Sequence, residues 1–293
     1  MDYAAISDLT KLQELLPNVR FESADMLLAR VRSMKTSREL DWIRKAVAAS
    51  EAGYLEMQKE IRAGIPFREL NNIWTSTVLK HDALPVYATP ISRMAPGRGQ
   101  YKQPDSVLVR GPELVEEGLV YRVEYSVVAG SYFSDQKFNF YVGTPIKESY
   151  ATWQEHHDRQ IFMEDFIRPG MSKREVFAAC QAEFANVEEY MWWIHGVGME
   201  VHEEPQLGSL LPHSLAVKPE ITFEENKVSA LESSWLVEDI YVLKADGFQG
   251  WAPCRKRWRY FERVCERKPV RPEHFGRLSA GSVEGLGGQC AEK

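Results

Sequence analysis

The stretch Ile194-His195-Gly196-Val197-Gly198-Met199-Glu200-Val201-His202-Glu203-Glu204-Pro205 decides how the rest of the chain is read. Two imidazoles lie seven residues apart around two glycines. Glycine lets the backbone approach a site closely, so His195 is a candidate ligand and His202 a candidate proton or hydrogen-bond donor to a carbonyl oxygen. If the segment is extended, the two rings are expected on opposite faces.

Working outward, acidic residues recur inside apolar strand-like runs. Glu124 sits within Val120–Val128, and Asp135 lies eleven residues on, past Ala129-Gly130-Ser131. Two strands joined by that turn are expected to bring both carboxylates side by side. Glu232 and Glu238 flank a Ser233-Ser234-Trp235 turn that would face them across a second hairpin. A carboxylate in an apolar strand is costly unless paired or metal-bound, and carboxylates held together need a cation between them, or one must be protonated. Glu124, Asp135, Glu232, Glu238 and His195 form a hard oxygen and nitrogen donor set suited to Mn, Fe(II), Co or Zn, often as a pair of ions.

Helical segments precede each strand-rich region. Apolar spacing predicts a short helix ending at Pro17-Asn18, a short capped turn from Ser23-Ala24-Asp25, and a long helix over 37–62 with Ser37 as N-cap. Further helices are expected over 66–80 and 150–167, and Ser172 with Glu175 makes a capping box for another. Arg62-Ala63-Gly64-Ile65-Pro66-Phe67-Arg68-Glu69-Leu70 returns 106 residues later as Arg168-Pro169-Gly170-Met171-Ser172-Lys173-Arg174-Glu175-Val176. Helix, helix, strands, twice over, is an α+β plan with two halves of like topology. Strands are expected at 107–109, 120–128, 132–142, 228–231 and 236–243.

The 293 residues carry a formal charge of −6, with 44% apolar and 27% charged residues, ordinary for a soluble globular protein. No run reaches the roughly 18 apolar residues of a membrane span, and the start lacks a basic and apolar leader, so a cytoplasmic protein without membrane partners is expected. Four scattered cysteines form no CxxC pair, which argues against a disulfide scaffold or thiolate zinc site. Residues 251–293 hold ten Lys/Arg and five Asp/Glu, a local +5 that leaves −11 for residues 1–250. Mild overall acidity, and a basic cluster outside any nucleic-acid fold, speak against nucleic-acid binding.

Taken together, these motifs resemble the creatinase/aminopeptidase, or pita-bread, family (peptidase family M24), in its prolidase-like branch. Glu124 and Asp135 keep that family's spacing of two acidic ligands. His195-Gly196-Val197-Gly198 with His202-Glu203-Glu204-Pro205 matches its H-G-I-G and H-E-x-P. Glu232 and Glu238-Asp239 match its last two ligand motifs, and Arg32, Lys35, Glu39, Ile43 and Ala46 match its lead pattern. The resemblance covers about residues 25–249.

It implies a curved antiparallel sheet with two pseudosymmetric halves, and metal ligands at Glu124, Asp135, His195, Glu232 and Glu238 for two divalent ions. It further implies catalytic assistance from His202 and hydrolysis of an amide or C–N bond in a small substrate, such as an Xaa-Pro peptide. A homodimer is a further implication. Residues 1–34 are then the remnant of an N-terminal domain, 35–250 the catalytic-like domain, and 251–293 a basic, atypical or disordered tail.

The chain departs from the family pattern at several positions. Glu124 replaces an Asp, Ser126 a Gly and Phe138 an Arg. The two final glutamates are six apart rather than about fourteen, and 97–106 holds no histidine. Two other activities accord with these departures: a creatinase- or ectoine-hydrolase-like enzyme on a small nitrogen compound with little metal dependence, and an inactive binding module.

Overall fold

A computed structural model describes residues 6–88, 92–94, 114–118, 120–144, 147–184, 192–209, 222–233, 237–251 and 260–261. The strand expected at 107–109, the 97–106 segment, the turn residues 234–236 and most of the basic tail lie outside the described residues.

Two helix pairs and one sheet build the fold. In the first half, α3 (Ser37–Glu60) and α4 (Phe67–Lys80) pack on β3 (Val120–Ala129) and β5 (Gln136–Val142). In the second, α5 (Lys147–Phe166) and α6 (Lys173–Glu183) accompany β8 (Val228–Ser233) and β9 (Val237–Lys244). The N-cap of α3 is Thr36 rather than Ser37. Its hydroxyl accepts from Glu39 N–H while Glu39 reaches back to the Thr36 N–H, a full capping box. The same device at Ser172 and Glu175 starts α6, as the sequence indicates.

The internal repeat is real in three dimensions. Gly64 and Gly170 both take positive φ, 80° and 90°, which only glycine adopts without steric cost. Gly64 N–H donates to Val115 O and Gly170 N–H to Phe223 O. Isolated bridges Pro66↔Leu114 and Ser172↔Thr222 then dock each helix pair onto its hairpin. The hairpins correspond as well. β3 pairs with β5 through Val120↔Tyr141 and Glu124↔Lys137, and β8 with β9 through Val228↔Val242 and Glu232↔Glu238. Glu124 therefore corresponds to Glu232, and Lys137 to Glu238.

The strand order along the sheet is β1 (Leu84–Ala88), β3, β5, β9, β8, β6 (Trp192–Gly196), β7 (Glu203–Ser209), with β2 (Ser92–Met94) added beside β3 and β10 (Gly247–Gly250) beside β9. These neighbours are all antiparallel, and the halves join where β5 meets β9 at Lys137↔Glu238. The stretch expected as one strand over 132–142 is β4 (Tyr132–Phe133) and β5, separated by Ser134-Asp135. Gly130 and Ser131 both have positive φ, the two-residue turn that fits the twist of a tight hairpin.

Alternation sorts each strand into two faces. Tyr121, Val123, Tyr125 and Val127 of β3, with Phe138 and Phe140 of β5, join Tyr54, Met57, Leu70 and Trp74 in the first core. A second core joins Met163, Ile167, Val176 and Phe177 with Ile194, Leu231, Tyr241 and Leu243. Glu124, Ser126, Asp135 and Lys137 belong to the opposite face. The first turns of α3 also serve the second half, where Leu40, Ile43 and Val47 pack with Val228, Ala230, Ile240 and Val242.

At the N-terminal end, α1 (Ile6–Leu15) buries none of its residues. The short turn expected near Ser23 is a helix, α2 (Asp25–Ser33), which packs on β7 without a side-chain cap. Near the other end, β11 (Tyr260–Phe261) pairs in parallel with Tyr141 and Val142, so part of the basic segment joins the sheet. No helix among the described residues is long and apolar enough to cross a membrane.

Candidate metal centre

All six residues singled out in the sequence converge where the two halves meet. Three overlapping groups could hold a metal ion: Asp135–His195–His202, His195–Glu232–Glu238 and Glu124–Asp135–Glu238. Within each, the ligand atoms lie within 4.8 Å of one another. Glu232 and Glu238 are direct cross-strand partners, so the shortened hairpin leaves them face to face.

Glu124 and Asp135 come side by side, with ligand atoms within 4.8 Å of each other, but they are not direct register partners. Counting from the Gly130-Ser131 turn, the register sets Lys137 opposite Glu124 and leaves Asp135 on the diagonal. Asp135 takes a hydrogen bond from the Ser126 hydroxyl at 3.3 Å. Ser126 is one of the departures from the family pattern, and here it orients a candidate ligand.

His195 and His202 are not on opposite faces either. Residues 197–202 curl back instead of extending, so the two rings meet edge to face at 4.3 Å. His195 Nδ1 lies 3.1 Å from Gly196 O. A carbonyl only accepts, so this nitrogen carries the hydrogen and leaves Nε2 as the donor atom. Nε2 lies 3.3 Å from Glu238 Oε1 and 3.7 Å from Asp135 Oδ2. His202 Nε2 is 3.6 Å from the same Asp135 oxygen, and its side chain is 60% exposed, which puts it at the open side of the centre. Donor atoms around a tetrahedral ion with bonds of about 2.1 Å are about 3.4 Å apart. The His195–Glu238 and His195–Asp135 separations bracket that spacing, with His202 on the flank.

The sequence reading missed Lys137. Its ammonium is buried, at 2% side-chain exposure, and pairs with Glu232, with Glu238 Oε2 at 2.9 Å and with Glu124 at 3.8 Å. Arg122 adds a second cation 3.8 Å from Glu124. The signal was present: a two-residue turn at Gly130-Ser131 fixes the register, and counting back along both strands sets a lysine across from Glu124. Among the described residues, buried Glu238 Oε2 accepts no well-directed hydrogen bond, despite its ion pair.

Electrostatics follow from crowding. Burial and the charge of Glu238 push Asp135 up to about 6. Burial also raises Glu124, against the pull of Lys137, and raises Glu232 together with the charge of Glu238. For Glu238 burial is outweighed by Lys137 and His195, which bring it down to about 2. Burial opposes the charge on Lys137 and on His195, but the facing carboxylates win and raise both.

A second missed feature holds the loop that carries His202. Buried Glu203 pairs with the buried Lys35 ammonium and with Arg32 at 3.2 Å, and accepts the Met199 N–H at 2.7 Å. Lys35 also donates to Arg32 O at 2.5 Å. The Arg32-x-x-Lys35 lead thus clamps the residue after His202. A Cβ on Gly198 would overlap the Glu203 carboxylate, which explains the second glycine of the motif.

A sheet folded from two like halves, with carboxylates and imidazoles gathered at its seam, is the plan of a metallohydrolase of the pita-bread class. Residues 41–263 match metallopeptidase family M24. The chain belongs to that family. It is 23% identical over 239 residues to methionine aminopeptidase 1 of Bacillus subtilis, covering 73% of this chain and 92% of that protein. Among solved structures, X-Pro aminopeptidase from Thermotoga maritima superposes with a TM-score of 0.70 at 19% identity, covering 88% of this chain and 73% of that one. Dipeptidase PepE from Mycobacterium ulcerans gives 0.71 at 17% identity, with coverages of 89% and 70%. Both structural likenesses speak to the fold.

Proposed function

We propose that the chain is a hydrolase that cleaves an amide bond in a short peptide at the Asp135–His195–His202 cluster. The supporting observation is the convergence of an inward-facing imidazole Nε2, two buried carboxylates and a half-exposed second imidazole at one point. Divalent metal is the cofactor of this reading, and it would supply Lewis acidity toward the scissile carbonyl. Asp135 and His195 would hold it, with Glu238 Oε1 beside them. The protein's own groups do the remaining work. Gly196 O fixes the His195 tautomer, and the Ser126 hydroxyl fixes the Asp135 carboxyl. His202 Nε2, on the open side, is placed to donate a hydrogen bond to the developing oxyanion. Xaa-Pro and N-terminal Met peptides are the first substrates to test, because the similar proteins are described as aminopeptidases of those kinds.

The test is turnover of a panel of Xaa-Pro dipeptides and Met-initiated peptides by chelated protein resupplied with Mn, Co or Zn. Cleavage is expected, with His202→Ala reducing kcat by a factor of about 10²–10³. Absence of cleavage across the panel with metal bound rejects the reading. A second reading, a metal-poor hydrolase of a small nitrogen compound, draws on Lys137: a cation already sits among the carboxylates. Turnover of creatine-like or ectoine-like amides in the presence of chelator would select it.

A further inference from the structure

We infer that the Lys137 ammonium occupies one of two cation positions in the centre, so that the chain takes a single divalent ion, at Asp135, His195 and Glu238 Oε1. This rests on the hydrolase reading only for the interest of the ion, not for its count or place.

Three observations carry it. First, the ammonium lies inside two of the three candidate groups. It contacts Glu232 and Glu238 of one group, and Glu124 and Glu238 of another. The charge of Asp135, in the remaining group, acts on it more weakly than those of Glu238, Glu232 and Glu124. Second, the two oxygens of Glu238 divide their work. Oε2 lies 2.9 Å from Lys137 Nζ, and Oε1 lies 3.3 Å from His195 Nε2. A carboxylate placed so bridges two cation positions, one already filled by a side chain. Third, formal charge agrees. Four carboxylates face two fixed cations, Lys137 and Arg122, which leaves −2 with both histidines neutral. One divalent ion neutralises that remainder. A second would leave the cluster positive and would stand against an ammonium it cannot displace into solvent, because that side chain is buried.

The repeat explains how this arose in geometric terms. Lys137 stands in the first hairpin where Glu238 stands in the second, and the two are register partners across the β5–β9 seam. The position that carries a ligand oxygen in one half carries a positive charge in the other.

The experiment is metal stoichiometry on the full chain, stripped with chelator, loaded with excess Mn or Zn, desalted and measured by elemental analysis, with calorimetric titration alongside. Wild type is expected to hold about one ion per chain, Lys137→Arg the same number, and Lys137→Met about two. Glu124→Gln in the wild-type background is expected to leave both the count and the affinity within a few-fold, since Glu124 faces Lys137 rather than the ion. Two ions in wild type overturn the inference, as does none. Loss of the single ion in Glu124→Gln also overturns it, by placing the ion in the other position. If Lys137→Met does not fold, the Glu124→Gln and Lys137→Arg results decide. Activity separates the two claims: two ions with peptide cleavage sinks this inference alone, and one ion without cleavage sinks the hydrolase reading alone.

Discussion

Replacing Lys35 by Met removes the buried ammonium that pairs with Glu203 while keeping its apolar stem. Both side chains are 2% exposed, and breaking a buried pair by removing one partner costs about 3–5 kcal/mol. Glu203 keeps Arg32 at 3.2 Å and the Met199 N–H at 2.7 Å, so the lower end, about 3 kcal/mol, is expected. Glu203→Gln should cost more, about 4 kcal/mol, because it leaves the buried ammonium with the Arg32 carbonyl and only the weaker pull of Glu39. The pair is not strongly favourable in itself: burial pulls Lys35 below its ordinary pKa in spite of Glu203. Removing both charges together should therefore cost no more than the worse single change, with a coupling of about 3 kcal/mol between the sites. Scanning calorimetry would read Lys35→Met as a fall of about 6–12 °C in Tm, at about 2–4 °C per kcal/mol. Single effects that add to within about 0.5 kcal/mol, or a Lys35→Met cost below about 1 kcal/mol as for an exposed pair, would refute the clamp.

Gly198→Ala should destabilise by about 1–3 kcal/mol, because the added methyl meets a carboxylate that the clamp holds still; made in a Glu203→Ala background, the same Gly198→Ala change should lower Tm by less than it does in wild type. Gly53→Ala places a methyl 2.5 Å from Cδ1 of buried Trp74, whose Nε1 donates to Ser50 O, and a comparable loss is expected in urea unfolding. His156 is fully buried, and burial followed by the charge of Arg159 lowers its pKa to about 3. Between its unfolded value of 6.5 and about 3 only the unfolded chain takes up the proton, so the stabilisation is complete above 6.5 and fades as pH falls. Urea midpoints at pH 7, 6 and 5 should drop more steeply for wild type than for His156→Phe, and equal slopes would rule this out.

Much of this architecture is written in local chemistry. Ser172 with Glu175, and the glycines at 64 and 170, announce the helix pairs and their repetition, because capping and positive φ depend on a few adjacent residues, although the first cap falls on Thr36 one residue before the expected Ser37. The candidate site carboxylates also stand out in the sequence, since carboxylates in apolar strands need a partner. Spacing alone does not fix what lies across a ladder. Lys137 becomes meaningful only once the turn at Gly130-Ser131 sets the register. The clamp of Lys35 on Glu203 joins residues 168 positions apart, which no local pattern encodes. His195 and His202 share one side of the site because the intervening chain curls, a choice made by glycines and by Glu203 rather than by strand periodicity.

Lys137 is a residue of the first half, yet Glu232 and Glu238, two of the carboxylates it holds, belong to the second. Its amine is tethered by a covalent stem, so it cannot be chelated, diluted away or exchanged for a competing ion. The join between the halves at β5 and β9 therefore keeps its counter-charge whatever the supply of dissolved metal, so the seam holds together independently of any ion bound beside it.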